Sequence, residues 1–148
     1  MDALLTRYFA YGSNMSLKQM RSRLGREING EKALLSGFDV VFGKPSHDAS
    51  WGKINLLKFP GKQVSGIVYQ VTEEELAALF TFESGYNRIP VKVTTEDGTE
   101  IKAVTFISKH HEPYPPLVEY LETILAGARE QALPTDYIDH LNDQAVLH

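Results

Sequence analysis

The sequence predicts an α/β composition of the α+β type, built on a mixed, largely antiparallel sheet. Three observations carry this. Short apolar and aromatic runs are bounded by turn residues, as strands are. Amphipathic segments with capping residues lie between them. The order is strand, helix, three strands, helix, two strands, two helices, so the strands come in hairpin-like groups rather than singly between helices.

The run from Leu4 to Ala10 reads as the first strand, broken by Tyr11-Gly12-Ser13-Asn14. Ser16 is placed to cap a helix through Leu17, Met20 and Leu24, with Lys18, Arg21 and Arg23 toward water and Gly25 at its C-terminal cap. Ala33 to Phe42 has strand composition, with Phe38, Val40 and Phe42 on one face. A polar loop from Pro45 to Gly52 carries the only tryptophan, Trp51. Ile54 to Phe59 and Val64 to Val71 read as two further strands, and Pro60-Gly61-Lys62 between them suggests a hairpin. Thr72-Glu73-Glu74-Glu75 matches a capping box, which predicts a helix from Glu73 to about Phe82. Tyr86 to Thr94 and Glu100 to Ser108 read as another hairpin, turned at Glu96-Asp97-Gly98. Pro113, Pro115 and Pro116 mark a loop. A helix follows with Leu117, Tyr120, Leu121, Ile124, Leu125 and Ala128 at helical spacing, and Pro134 starts a last short helix holding Ile138 and Leu141.

No repeat, low-complexity segment or linker divides the 148 residues, so one domain over 1–148 is expected. Hydrophobic residues make up 43%, enough for a core that needs no staples. Cysteine is absent, which excludes a thiol nucleophile, a disulfide framework, a Cys-ligated zinc and an iron–sulfur cluster. The net charge of −4 argues against nucleic acid as a partner. No apolar run approaches a membrane span, and Met1-Asp2-Ala3-Leu4-Leu5-Thr6-Arg7 lacks the basic start and apolar core of a secretory signal. The expected location is the cytoplasm.

Two features stand out chemically. Glu83 follows Leu76, Leu79 and Phe80 at i+7, i+4 and i+3, so it continues the apolar face of its helix. Burial and the negative end of the helix dipole both raise a carboxyl pKa there, which suits a general base or acid. Alternatively the helix ends early and Glu83 points into water. The second feature is Tyr11-Gly12-Ser13-Asn14, between a strand and a helix. Gly12 allows an unusual backbone conformation and a close ligand approach, and successive amides there make an anion-binding nest. The plainer alternative is a connecting turn. The histidines carry less. His110 and His111 are adjacent, and on a strand they would face apart. His47 lies in a loop, His140 and His148 near the end, and no metal-binding spacing occurs. Tyr120 reads as core or ligand, Tyr86 as core or pocket wall.

Together these residues resemble a known family. Tyr8-Phe9-Ala10-Tyr11-Gly12-Ser13-Asn14 is similar to the signature of the γ-glutamylcyclotransferase-like (AIG2-like) proteins. That family continues with a helix ending in glutamate, then a tyrosine and a strand, as in Leu79-Phe80-Thr81-Phe82-Glu83-Ser84-Gly85-Tyr86 and Val91-Lys92-Val93. Tyr120, Gly127-Ala128-Arg129-Glu130 and Leu133-Pro134 resemble the γ-glutamylcyclotransferases proper. The resemblance runs from about Tyr8 to Leu141. It implies a small mixed β-barrel flanked by helices, with a pocket at one end. It also implies cyclisation of a γ-glutamyl group to 5-oxoproline with release of an amino acid or amine, without cofactor or metal. By the same carry-over Glu83 is the general base and acid. Tyr8, Phe9, Ala10, Tyr11, Gly12, Ser13 and Asn14 hold the glutamyl group, and Tyr86 and Tyr120 lie near it. Asn14 stands where the glutathione-specific branch usually has leucine, and Ser84-Gly85-Tyr86 is shorter than the animal segment, so the leaving group stays open. The alternatives are a cyclotransferase for γ-glutamyl amines and a non-catalytic binder of small carboxylates. The only partner expected is the small γ-glutamyl substrate, with the protein a monomer or homodimer.

Overall fold

A computed structural model describes residues 4–46 and 50–146. Met1 to Ala3, His47 and His148 lie outside the described residues. Five strands close into a barrel in the order β1-β3-β2-β4-β5. They are β1 (Leu5–Ala10), β2 (Gly30–Pro45), β3 (Gly52–Thr72), β4 (Asn87–Thr95) and β5 (Glu100–Ile107). Every pairing is antiparallel except the closure, where β1 runs parallel to β5 at Tyr8 and Val104. The helices are α1 (Leu17–Leu24), α2 (Glu73–Phe80), α3 (Val118–Glu130) and α4 (Thr135–Val146). None is long and apolar enough to cross a membrane.

One expected pairing is corrected. Ile54–Phe59 and Val64–Val71 do not pair as a hairpin. Both belong to β3, which runs back along β2 from Pro45↔Gly52 to Gly30↔Tyr69. Phe38 faces Lys58 and Ser36 faces Gln63, so residues 59–62 bulge out opposite Gly37. The Pro60-Gly61 signal is therefore real but marks a bulge. Pro60 lacks an amide to pair, and Gly61 takes φ +87°. Such bulges bend two long strands enough for closure.

Local signals set the helix ends. The Ser16 hydroxyl accepts from the Gln19 amide at 3.2 Å, and Gly25 closes α1 in the left-handed region at φ +71°. The Glu75 amide donates to the Thr72 hydroxyl at 3.1 Å, and the Thr72 amide donates to the Glu75 carboxylate at 3.0 Å. α2 ends two residues earlier than expected, at Phe80. Phe80 is less buried than its stripe suggests. It packs its ring on Phe106 at 5.4 Å but stays exposed, whereas Leu76 and Leu79 are fully buried.

α3 lies against the turn after β1 because Gly127 has no side chain. A β-carbon there would sit 2.6 Å from the Ser16 nitrogen. Glu130 accepts from the Leu17 amide at 3.0 Å, and Gln131 donates to the Met15 carbonyl at 3.1 Å. The Gly127–Glu130 segment thus braces the site from behind. Leu79 anchors the end of α2, from which the turn to Glu83 departs. Leu79→Ala should cost about 2–5 kcal/mol in denaturant unfolding, since it leaves a cavity in a packed core.

Candidate active site

A cavity of about 270 Å³ opens where the end of β1, the start of β3 and the end of α2 meet. Glu83 reaches it through a tightened turn. After α2, the amides of Thr81, Phe82 and Glu83 each bond the carbonyl three residues back, at 3.2, 3.0 and 2.9 Å. Gly85, at φ +85°, then reverses the chain into Tyr86. A β-carbon on Gly85 would lie 2.6 Å from the Lys44 ammonium, which donates to the Ser84 carbonyl at 2.6 Å.

The Glu83 side chain is 15% exposed. Its nearest charged partner is the Arg23 guanidinium at 3.8 Å. Burial pushes its carboxyl above the ordinary glutamate value, against the opposing pull of Lys53, Arg23 and Lys44. The group therefore holds a proton at a higher pH than a surface glutamate does.

The turn after β1 faces it. Ser13–Met15 form one 3₁₀ turn, closed by bonds from the Met15 amide to Gly12 and from the Ser16 amide to Ser13, both 3.0 Å. Among the described residues, the amides of Tyr11, Gly12 and Ser13 donate to no protein acceptor. Gly12 sits at φ −122°, ψ −138°, outside the strand and helix regions. It also supplies space, since a β-carbon would meet the Ile54 methyl at 2.7 Å.

The expected site residues divide. Tyr8, Tyr11, Gly12, Ser13, Asn14, Glu83, Tyr86 and Tyr120 all line the cavity. Phe9 and Ala10 do not. Phe9 is fully buried with its ring close over Gly66, and its carbonyl accepts from Thr105 at 2.7 Å. Ala10 is committed to the ladder with Ile67. The two were expected beside the ligand because the signature is contiguous, but strand pairing and core packing use them instead. Asn14 is 2% exposed and its side chain is already occupied. Its amide donates to the Tyr8 hydroxyl at 3.0 Å, and its oxygen accepts from Gln19 at 3.0 Å and Arg23 at 2.9 Å. The tyrosine hydroxyls grip backbone. Tyr86 donates to the Ile54 carbonyl, Tyr120 accepts from the Ile54 amide at 3.1 Å, and Tyr11 donates to the Phe106 carbonyl.

Comparison with known proteins gives this arrangement relatives. Residues 63–141 match the model of the AIG2-like family. The gamma-glutamylcyclotransferase of Bos taurus is 34% identical over 143 residues, covering 91% of this chain and 76% of the relative. The gamma-glutamylcyclotransferase of Homo sapiens is 33% identical over 142 residues, covering 90% and 76%. The chain belongs to the AIG2-like family, with the γ-glutamylcyclotransferases. A solved gamma-glutamyl cyclotransferase superposes with a TM-score of 0.83 at 30% identity, covering 97% of this chain and 88% of the other. The barrel with its flanking helices is thus the γ-glutamylcyclotransferase fold.

Several lining residues of this family member escaped sequence reading. Arg23 was expected in water, yet it turns inward. Its spacing from fully buried Met20, three residues back, was the available signal. The Arg23 guanidinium stacks over Phe82 at 4.2 Å. Lys53 and Trp51 come from the polar loop and the start of β3, with the Trp51 ring 5.0 Å from that of Tyr120. Nothing in their immediate sequence marks them. Among the described residues, no cluster of His, Asp and Glu is arranged to hold a metal. His110 and His111 lie beyond β5, not on it, and His140 pairs with Asp39 at 2.7 Å, away from the cavity.

Proposed function

We propose that this chain cyclises γ-glutamyl compounds to 5-oxoproline, with Glu83 as the general base and acid. The observation that carries the reading is the pairing of a buried carboxylate, its pKa raised by burial, with a turn of unpartnered amides across one small cavity. The relatives' name supports this chemistry, and the cavity residues supply the groups it needs.

The substrate brings its own nucleophile and electrophile. Its α-carboxylate is an acceptor suited to the Tyr11–Ser13 amides and Arg23. Its α-ammonium is a cation suited to Glu83. Glu83 takes one proton from the ammonium, and the free amine attacks the γ-carbonyl carbon. A carbon–nitrogen bond forms and closes the five-membered ring. As the tetrahedral centre collapses and the bond to the leaving nitrogen breaks, that nitrogen receives two protons. They are the one Glu83 took first and the surplus one on the ring nitrogen, both passed through Glu83, so the amine leaves as an ammonium and Glu83 ends ionised. Atoms and charge balance with no co-reactant. Holding the two ends in reach supplies much of the acceleration, since effective molarities of such closures reach about 10⁵–10⁸ M.

The test is a panel of γ-glutamyl amino acids and γ-glutamyl amines incubated with the purified protein, with 5-oxoproline measured by chromatography. Release of 5-oxoproline from at least one class is expected. Binding of the panel without any release would instead support a small-carboxylate sensor.

A further inference from the structure

Among the described residues, the charged groups lining the cavity are Glu83, Arg23 and Lys53. One anion is set against two cations. Arg23 stands beside the β1 turn, held by Asn14 at 2.9 Å. Lys53 enters from β3 on the Trp51 side, and its ammonium spends one donor on the Phe82 carbonyl at 3.4 Å. An ammonium has three donors, so among the described residues two are left for the cavity or water. Behind Lys53 stands Lys44, itself buried and bonded to the Ser84 and Pro45 carbonyls at 2.6 and 2.9 Å. Both ammonium groups lie over the Tyr86 ring, at 5.2 Å for Lys44 and 5.6 Å for Lys53. Among the described residues, two like charges over one ring leave a positive excess that Glu83 alone does not neutralise. A γ-glutamyl amino acid carries the opposite set: one ammonium and two carboxylates. If Glu83 faces the ammonium and the turn with Arg23 faces the α-carboxylate, the second carboxylate belongs to the leaving group.

We infer that Lys53 is a specificity-determining residue that binds an anionic group on the leaving amine. This rests on the cyclotransferase reading above. It makes the leaving-group side of the cavity selective by charge rather than by shape, with Trp51 and Tyr120 supplying an apolar wall beside the cation.

The test compares γ-glutamyl-alanine with γ-glutamyl-alaninamide, which differ in that one carboxylate. For the unaltered protein, kcat/KM should favour the acid by about 10- to 100-fold, the range of a hydrogen bond to a charged group. In Lys53→Met this ratio should collapse toward one, and in Lys53→Arg it should persist. If Lys53 merely offset the charge of Glu83, the Met variant would shift the pH profile for both substrates and leave their ratio unchanged, which overturns the inference. An equal rate on both substrates in the unaltered protein also overturns it. Calorimetric binding of the same two compounds separates the two readings. Lys53-dependent discrimination in binding without 5-oxoproline keeps the Lys53 assignment and sinks the cyclotransferase. Release of 5-oxoproline without discrimination does the reverse, and binding of neither compound removes both.

Discussion

Replacing Glu83 by glutamine should cut 5-oxoproline formation by about 10²–10⁴-fold, the usual scale of general acid–base help. The amide keeps the shape and lies in the same turn, so the loss falls on kcat more than on KM. The pH profile should show the same group. A base must be ionised, so the rate should climb with pH through a pKa above the ordinary glutamate value of about 4.3. Stability should move the other way. Because burial raises this carboxyl's pKa, the native state holds its proton more tightly than the unfolded chain does. The stability it contributes is present at low pH and is lost as pH rises from the unfolded value through the raised native one. Glu83→Gln should therefore melt higher than the unaltered protein at pH 7, with the difference vanishing in acid. A glutamine variant with full turnover would sink the catalytic assignment. One that melts lower at pH 7 would mean that Arg23, Lys53 and Lys44 hold the ionised carboxylate favourably.

Asn14→Leu should have the second large effect. Leucine has a similar volume but strands three partners: the Tyr8 hydroxyl, Gln19 and the Arg23 guanidinium. Two neutral hydrogen bonds and one to a charged group go unmade at a position almost closed to water. The cost should be on the order of 3 kcal/mol, read by denaturant unfolding. Arg23 also loses the contact that aims it past Glu83, so KM for a γ-glutamyl substrate should rise. Asn14→Asp keeps the acceptor for Arg23 and loses only the donor to Tyr8. It should retain most of the substrate affinity. Equal KM values for the Leu variant and the unaltered protein would show that Asn14 does not position Arg23.

Several parts of this molecule were legible locally. Ser16, Gly25 and the Thr72–Glu75 box announce helix ends through bonds spanning a few residues. The β4–β5 hairpin was marked by its turn, because partner strands and turn are adjacent in the chain. The spacing from Leu76 and Leu79 to Glu83 placed that carboxylate on a buried face, even though α2 stops three residues before it. The contiguous signature was less transparent, because its residues do different work. Tyr8, Tyr11, Gly12 and Ser13 line the cavity, Asn14 lines it but serves its neighbours, and Phe9 and Ala10 serve the barrel.

The sequence by itself determined the helix caps, the turns, the absence of cysteine chemistry, the family resemblance and the candidate carboxylate. All of these follow from residue identity and short-range spacing. The tertiary structure decided that β3 stays with β2 through a bulge, and that β1 meets β5 to close the barrel. It also decided that Arg23, Lys53 and Lys44 gather around Glu83. Strand partners are chosen by pairing across many residues of chain. Long cationic side chains go where burial and hydrogen bonds allow, which no local pattern specifies.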